Sequence, residues 1–167
     1  SVYGGPQIVA DDWACTNAFP VTDVHWWGSY IGWSHTEPPY LPPAFHIGIW
    51  TDVPAGVDQP FSHPGMMIWE NYCDEYTWRF VGWDWDPRDP VAPPEACFRF
   101  DQLLDEAEWF LQDEGENIYW ISIAAVYDAG IPADNPWGWK TRPRDPASMA
   151  PDDAVVIWDP LAPLVGV

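Results

Sequence analysis

The sequence predicts an all-β protein, a two-sheet antiparallel β-sandwich of jelly-roll type with at most one short helix. Its 20 prolines and 12 glycines interrupt the chain every several residues, and proline is not tolerated inside long helices. Short aromatic and β-branched runs lie between these breaks and indicate strands. Strands and helices do not alternate along the chain, so an open parallel sheet is not expected. We therefore expect one sandwich domain over residues 1–167, with apolar tails at both ends.

The predicted strands follow the aromatic and β-branched runs in chain order. They are Gln7–Trp13, Val21–Trp33, Ala44–Val53, Met66–Tyr72, Glu75–Trp85, Cys97–Phe100, Asn117–Tyr127, Pro136–Thr141 and Ala154–Trp158. Loops rich in proline are expected at Pro54–Gly65 and Asp86–Glu95. Gly28 and Gly32 interrupt the second run, which indicates a bulge or the close approach of another group.

Alternation of residue types assigns faces to some of these strands. In Glu75–Trp85 the aromatic residues occupy one face and Thr77 and Arg79 the other; the aromatic residues are Tyr76, Trp78 and Phe80. Phe98 and Phe100 likewise point away from Arg99. Asn117–Tyr127 is apolar on both faces and is expected at the centre of a sheet. For Leu103–Leu111 a short helix capped by Asp101 and extended structure both stay open.

Acidic residues outnumber basic ones by 26 to 6, for a formal net charge of -20. Phosphate binding is driven by lysine and arginine, so this charge argues against nucleic acid and against anionic membranes as partners. It also opposes self-association unless cations screen or bridge the carboxylates. The sequence has no run of about 18 apolar residues, which is the length that a membrane-spanning helix needs.

The three cysteines have no zinc-site spacing. Cys73 and Cys97 flank a Trp-rich strand segment and are the predicted disulfide, which would leave Cys15 free or bonded to another chain. Three reduced, buried thiols are the alternative. Low lysine and high tryptophan and proline favour an oxidising, extracellular setting, and a chain that begins at Ser1 suits a processed secreted product or a fragment. We expect a secreted or cell-surface protein.

Clustered aspartates in a proline-rich loop predict a Ca²⁺ site, because Ca²⁺ takes several hard oxygen ligands from irregular loops. The metal-ligand candidates are Asp84, Asp86 and Asp89, and further carboxylates near strand starts are Asp11, Asp12, Asp23, Asp152 and Asp153. The segment lacks the glycine and the spacing of an EF-hand loop. A solvated acidic loop, with Arg88 or Arg79 paired to a carboxylate, is the alternative.

Exposed aromatic rings stack on the apolar faces of sugars, and the chain has 14 tryptophans with which to form such a platform. Trp83 and Trp85 share a face by alternation, as do Trp137 and Trp139, and these four are the predicted glycan platform. Packing of the same rings against loop prolines is the alternative. Trp26 and Trp27 are adjacent in a strand, so one is expected in the core and the other outside.

Signals for catalysis are weak. Glu70, Glu75 and Glu108 could supply a glycosidase carboxyl pair only if two of them lie about 5–10 Å apart. We interpret the four histidines as buried or ordinary surface residues, in preference to bases or metal ligands. They are His25, His35, His46 and His63. No nucleophile elbow is present. We therefore expect no enzyme, and we assign no catalytic and no cofactor-binding residues.

The two ends of the chain are apolar, unlike its acidic body. Ser1–Gly5 and Pro160–Val167 would suit docking onto a neighbouring subunit by strand addition, and folding back onto their own domain is the alternative. The predicted role is therefore an extracellular structural or adhesive protein, a self-assembling subunit of a fibre or surface layer with Ca²⁺ offsetting the charge repulsion. The alternative is a carbohydrate-binding module that uses a tryptophan platform to hold a polysaccharide.

Four segments carry a resemblance to a known family: Ala10–Trp13, Pro20–Tyr30, Asn117–Ile123 and Trp137–Thr141. Their ADDW, TDxHWWGSY and WGWKTR motifs resemble a domain of unknown function from secreted bacterial proteins, often of planctomycete type and often ahead of a C-terminal sorting signal. The resemblance implies an extracellular β-sandwich and no assigned activity. No sorting tail follows the last predicted strand, so attachment by that route is not expected.

Overall fold

The computed structural model describes residues 2–3, 8–85, 91–113, 117–128, 134–140, 147–150 and 154–157. Within these ranges the strands are β1 (Val2–Tyr3), β2 (Ile8–Cys15), β3 (Asp23–Tyr30), β4 (Ala44–Val53), β5 (His63–Cys73), β6 (Thr77–Asp84), β7 (Glu95–Leu103), β8 (Asn117–Tyr127), β9 (Trp137–Trp139) and β10 (Val155–Ile157). One turn of 3₁₀ helix, Glu106–Glu108, is the only helical element described. No described helix has the length and hydropathy needed to cross a membrane.

The strands form two antiparallel sheets. The larger sheet has the order β10-β2-β8-β4-β5, with β1 also paired to β8, and the smaller sheet has the order β6-β7-β3-β9. Strands remote in sequence pair in both layers, since β2 lies beside β8 and β3 lies beside β7. This wrapping of distant strands around two layers is typical of a jelly roll. The predicted antiparallel β-sandwich with at most one short helix is confirmed in the part of the chain that the structure describes.

Phe45 of β4 lies at the centre of the core between the sheets. Its ring is fully buried, and its centroid lies 4.9–5.1 Å from those of Trp26, Tyr76, Phe100 and Trp137. These four aromatic residues belong to or adjoin β3, β6, β7 and β9, which are all the strands of the smaller sheet. Such aromatic contacts contribute about 0.5–1.5 kcal/mol each beyond the burial of area. One side chain of the larger sheet therefore contacts every strand of the smaller one.

A second apolar cluster lies on the opposite side of the larger sheet. Trp50 and Trp120 are directly opposite each other on β4 and β8, and both are buried. They alternate along their strands with Ile49 and Tyr119, which pack in a different cluster. Their indole N–H groups donate to Ser122 Oγ (2.9 Å) and Asp52 Oδ1 (2.8 Å) respectively. Tryptophans therefore pack on both sides of the larger sheet, and not only between the two layers.

Long apolar runs were predicted closely. Ala44–Val53 and Asn117–Tyr127 have the predicted bounds, and the latter lies centrally between β2 and β4. Alternation also assigned the faces of β6 and β7 correctly: Phe98 and Phe100 are fully buried, whereas Arg79 is exposed. A side chain that alternates with buried aromatic rings must point to solvent, because successive strand residues point to opposite sides.

Strand ends differ from the prediction where a turn or a partner strand intervenes. β3 ends at Tyr30, because the Trp33 N–H donates to the Tyr30 carbonyl and Gly32 has a φ of 73° that favours glycine. β5 begins at His63, inside the expected loop, because it pairs with Val53 in a hairpin. Asp101 lies within β7 and caps no helix; the 3₁₀ turn follows Asp105 instead.

The predicted disulfide between Cys73 and Cys97 is absent, and all three cysteines are free thiols. Cys73 lies in the larger sheet and is buried in the core between the layers. Cys97 lies in the smaller sheet between the fully buried residues Ala96 and Phe98, so it points to the outer side. The two thiols therefore face different environments. Burial raises the pKa of the Cys73 thiol to about 12, which makes it a poor nucleophile.

Gly28 is required by the close approach of β9 to β3. A Cβ at this position would overlap the indole of Trp137, which confirms that this glycine marks the approach of another group. We expect Gly28→Ala to destabilise the fold by about 1–3 kcal/mol, because overpacking must displace a ring in contact with Phe45. Unfolding in urea measures the change.

Gly138 provides the matched control for this substitution. It also lies in β9, but a Cβ there would have no neighbour within 4 Å. Gly138→Ala should therefore leave stability nearly unchanged. Equal effects of the two substitutions would show that Trp137 does not pack as described.

Candidate functional site

The outer face of the smaller sheet is the candidate functional site. Here and below, this outer face comprises the side chains that point away from the core on β3, β6 and β7, together with the residues that close it at its ends: His25, Trp27, Ser29, Arg79, Val81, Asp84, Glu95, Cys97, Arg99, Asp101 and Lys140. Trp26 is buried in the core and Trp27 lies outside with 41% of its surface exposed. The prediction that these neighbours point to opposite sides is confirmed.

Basic side chains are concentrated on this outer face. The chain has only six lysines and arginines, and the three that lie in described segments are Arg79, Arg99 and Lys140. All three belong to the outer face, on or directly after β6, β7 and β9. The face therefore differs in charge from the body of a chain whose net charge is -20.

One half of the outer face is a chain of ionic contacts from β3 to β7. The two ring nitrogens of His25 lie 2.5 Å from Asp23 Oδ2 and Asp101 Oδ1. Arg99 donates to the same Asp101 oxygen at 2.6 Å, and its guanidinium lies 5.5 Å from the centre of the Trp27 ring. Burial alone would raise the pKa of Asp101, but hydrogen bonds from Arg99 and His25 lower it. This network holds the Arg99 guanidinium close to the Trp27 ring.

The other half of the outer face is organised by Glu95. Its Oε2 accepts from Ser29 Oγ at 2.8 Å and contacts Lys140 Nζ at 3.3 Å, and its Oε1 accepts from the Gly32 N–H at 2.8 Å. Lys140 also contacts Asp84 at 3.1 Å. Burial would raise the pKa of Glu95, but these donors outweigh it and lower the pKa. Glu95 therefore ties the ends of β3, β7 and β9 together as a carboxylate.

The predicted glycan platform divides into exposed and packed members. Trp83, near the end of β6, and Trp85, directly after it, are 47% and 56% exposed. Trp83 also packs edge-on against Phe80 at 4.7 Å. Trp137 and Trp139 share a face as predicted, but they pack against the core between the sheets. The short strand β9 turns its tryptophans inward, which leaves Trp83 and Trp85 as the exposed members of the predicted platform.

The predicted Ca²⁺ site is described only in part. Asp84 accepts a hydrogen bond from the Trp85 N–H and pairs with Lys140, while Asp86 and Asp89 lie outside the described residues. Among residues that are described, no three His, Cys, Asp or Glu side chains converge to hold a metal ion. The calcium site stays a prediction for the loop after β6.

Histidines and carboxylates contact each other at separate places. His46 Nε2 lies 2.9 Å from Glu70 Oε2 across β4 and β5, and His63 Nε2 lies 2.7 Å from Asp58 Oδ1. His46 and His63 are buried. The Glu108 carboxylate accepts a hydrogen bond from the Asp105 N–H, and the Glu108 carbonyl accepts one from the Trp69 indole N–H. In each of these contacts the polar side chain joins neighbouring segments of the sandwich.

Sequence reasoning missed most residues of the outer face. Glu95 was placed at the end of a loop, and Lys140 was noted only within the WGWKTR motif. The alternation of Arg99 with two phenylalanines was a usable signal for its outward direction. Nothing in the sequence shows which strands are neighbours, so the contacts of Glu95 with Ser29 and Lys140 could not be found that way.

Comparison with known proteins gives one match. A family model described as a domain of unknown function, DUF7901, matches residues 1–164. No curated protein matches the chain, and no solved structure matches it.

The lowered pKa of Glu95 makes part of the stability dependent on pH. A carboxylate with a depressed folded-state pKa stabilises fully above its unfolded value, about 4.3, and loses that contribution as the pH falls through the folded value. We expect Glu95→Gln to cost about 1–3 kcal/mol at pH 7, because it removes charge-assisted hydrogen bonds. The difference from the unsubstituted protein should shrink below about pH 4.

Urea unfolding at a series of pH values from 3 to 7 measures this difference. Glu37→Gln is the matched control, since Glu37 is exposed and its side chain has no hydrogen bond in the described structure. A Glu95→Gln deficit that stays constant across the series would contradict the assignment of Glu95 as a charged tie.

Proposed function

The chain belongs to the DUF7901 family of domains of unknown function, and we propose that it is an extracellular, non-enzymatic structural or adhesive protein. In this proposal it is the subunit of a self-assembling fibre or surface layer from a secreted bacterial protein of planctomycete type. The sandwich suits this role because His25, His46 and Glu95 make contacts that join neighbouring strands. The proposal depends most on one observation, the pairing of the N-terminal strand.

The N-terminal strand β1 adds to an edge that another segment could occupy. Val2 and Tyr3 pair antiparallel with Tyr127 and Val126 of β8. The neighbouring strand β2 pairs with β8 only as far as Ser122, opposite Ala10. β1 therefore continues the ladder along the remainder of this edge of β8. In a single copy the N-terminal tail thus folds back on its own domain, which was the alternative to docking.

We propose that the same pairing is exchanged between copies. A two-residue strand has few hydrogen bonds to lose, and exchange restores each of them in the neighbouring subunit. Head-to-tail exchange of one terminal strand generates an open filament unless the rotation closes a ring. The C-terminal tail Pro160–Val167, the second predicted docking segment, lies outside the described residues.

Repulsion between copies must be offset for such a filament to form. Two bodies with a net charge of -20 repel each other before they come into contact. Salt at physiological ionic strength screens this repulsion at separations beyond about 8 Å. We propose that Ca²⁺ bound by surface carboxylates, including Asp84 and its loop, reduces the repulsion further.

A carbohydrate-binding module is the second candidate function. The exposure of Trp83 and Trp85 favours it, since both rings present apolar surface to solvent near the end of β6. In this function the sandwich would attach to an extracellular polysaccharide without processing it.

Removing the N-terminal strand should abolish assembly. We expect polymers of the full chain in negative-stain electron micrographs with Ca²⁺, and folded monomers after deletion of Ser1–Gly5, because no strand remains to be exchanged. Circular dichroism checks that the fold survives. Excess synthetic peptide of residues 1–7 should also block polymers by occupying β8.

Deletion of Pro160–Val167 tests the second tail in the same assay. Addition of a chelator to the full chain tests whether assembly needs Ca²⁺. Polymers that persist in both truncations would exclude assembly through the tails. Polymers that persist with chelator would exclude only the role of calcium.

For the second function, Trp85→Ala should weaken retention on a polysaccharide identified by a glycan array, by roughly two- to tenfold from lost stacking. Phe19→Ala is the matched control, since Phe19 is 74% exposed and lies before β3, away from the platform. An array without any retained glycan would argue against this function.

A further inference from the structure

Two arginines lie directly opposite each other on the outer face. Arg79 of β6 and Arg99 of β7 are register partners, so their Cβ atoms are about 4.5–5.5 Å apart. Like charges in this position are destabilising. The arrangement is unexpected in a chain with six basic and 26 acidic residues, because a carboxylate opposite Arg79 would stabilise the sheet.

The two guanidinium groups differ in their partners. Arg99 is held by Asp101, which contacts His25 as well. Arg79 is exposed and has no ion pair or hydrogen bond to any described residue. It therefore presents its full set of donors beside a second, fixed guanidinium. Such a pair can bind the two oxygens of a carboxylate or sulfate group, because the planar donors match that geometry.

Trp27 places an apolar ring next to this pair. Trp27 is the register partner of Arg99 on the other side of β7, so Arg79, Arg99 and Trp27 form one row across three strands. The ring remains 41% exposed although Arg99 lies over it. A ligand that spans the row would meet cationic donors at one end and a flat apolar surface at the other.

We propose that this row is a subsite for an acidic sugar residue, the uronate of an extracellular polysaccharide. The sugar carboxylate would lie between Arg79 and Arg99, and the apolar face of the ring would pack on Trp27. This deepens the carbohydrate-binding function proposed above by naming the ligand class and a second contact site. It does not depend on assembly through the tails.

A uronate fits this row better than other anionic partners. Nucleic acid carries a phosphate on every nucleotide and is repelled by the net charge of -20, whereas a sugar carboxylate at contact range is attracted by the nearest guanidinium groups. A second copy of this chain would bring the same negative body against the face. A sugar residue combines one local charge with an apolar ring face, which is what the row presents.

Calorimetric titration with trigalacturonate and with its methyl ester tests the proposal. The ester keeps the sugar rings and replaces each carboxylate with an uncharged methyl ester. We expect binding of trigalacturonate at 0.15 M salt and at least roughly tenfold weaker binding of the ester, because charge-assisted hydrogen bonds are lost. Arg79→Gln should weaken trigalacturonate binding to a similar degree and leave ester binding unchanged. Arg79→Lys should restore part of the affinity, since it keeps the charge but not the planar donors.

Gln59→Glu is the matched control, because it changes the net charge by the same amount at an exposed loop position away from the row. It should leave both affinities unchanged. Arg79→Gln should not lower the melting temperature, since Arg79 has no described partner and faces Arg99. A lowered melting temperature would show that Arg79 is a structural residue instead.

Three outcomes would overturn the proposal. Equal binding of acid and ester, unaffected by Arg79→Gln, would exclude the arginine pair while leaving a neutral carbohydrate function intact. Binding of neither sugar would exclude the uronate subsite, and the glycan array decides the broader function separately. Dimerisation of the unsubstituted protein in sedimentation velocity, abolished by Arg79→Gln, would assign the row to contact between copies.

Discussion

The aromatic contacts of Phe45 are the interaction on which the rest of the structure depends. From β4 this ring meets side chains in or next to all four strands of the smaller sheet, at centroid distances of 4.9–5.1 Å. Aromatic rings pack edge-to-face because their faces are negative and their edges positive. Such packing fixes the relative position of two sheets that share no strand pairing among the described residues. It also commits the inner side of both sheets to the core.

Functional surfaces are therefore excluded from the inner sides, and the two outer sides differ. On the larger sheet, Trp50 and Trp120 are buried in a second apolar cluster and their indole N–H groups are satisfied. On the smaller sheet the outer side is polar. It carries all the described basic side chains in a chain of net charge -20. Of these, Arg79 is exposed, whereas Arg99 and Lys140 are partly buried in ionic contacts that join the strands of this face.

Those ionic contacts tie together strands that are far apart in sequence. Lys140 joins Asp84 to Glu95, and Asp101 joins His25 to Arg99. Within this pattern Arg79 is the exception, since it lies opposite another arginine and is not used to join strands. An acidic residue at this position would stabilise the sheet, because opposite charges attract across neighbouring strands. Arg99 therefore helps to hold the sheet together, whereas Arg79 is available to bind a ligand. Binding at Arg79 would agree with the adhesive role proposed for the domain.

The sequence by itself determined the fold class, the bounds of β4 and β8 and the faces of β6 and β7. These features follow from local patterns: proline and glycine exclude helices, and alternation divides a strand into two sides. Only the tertiary structure decided which tryptophans are buried, that Cys73 and Cys97 lie apart, and that Glu95 meets Ser29 and Lys140. Strand neighbours depend on packing between residues distant in the chain. No single segment of the sequence contains that information.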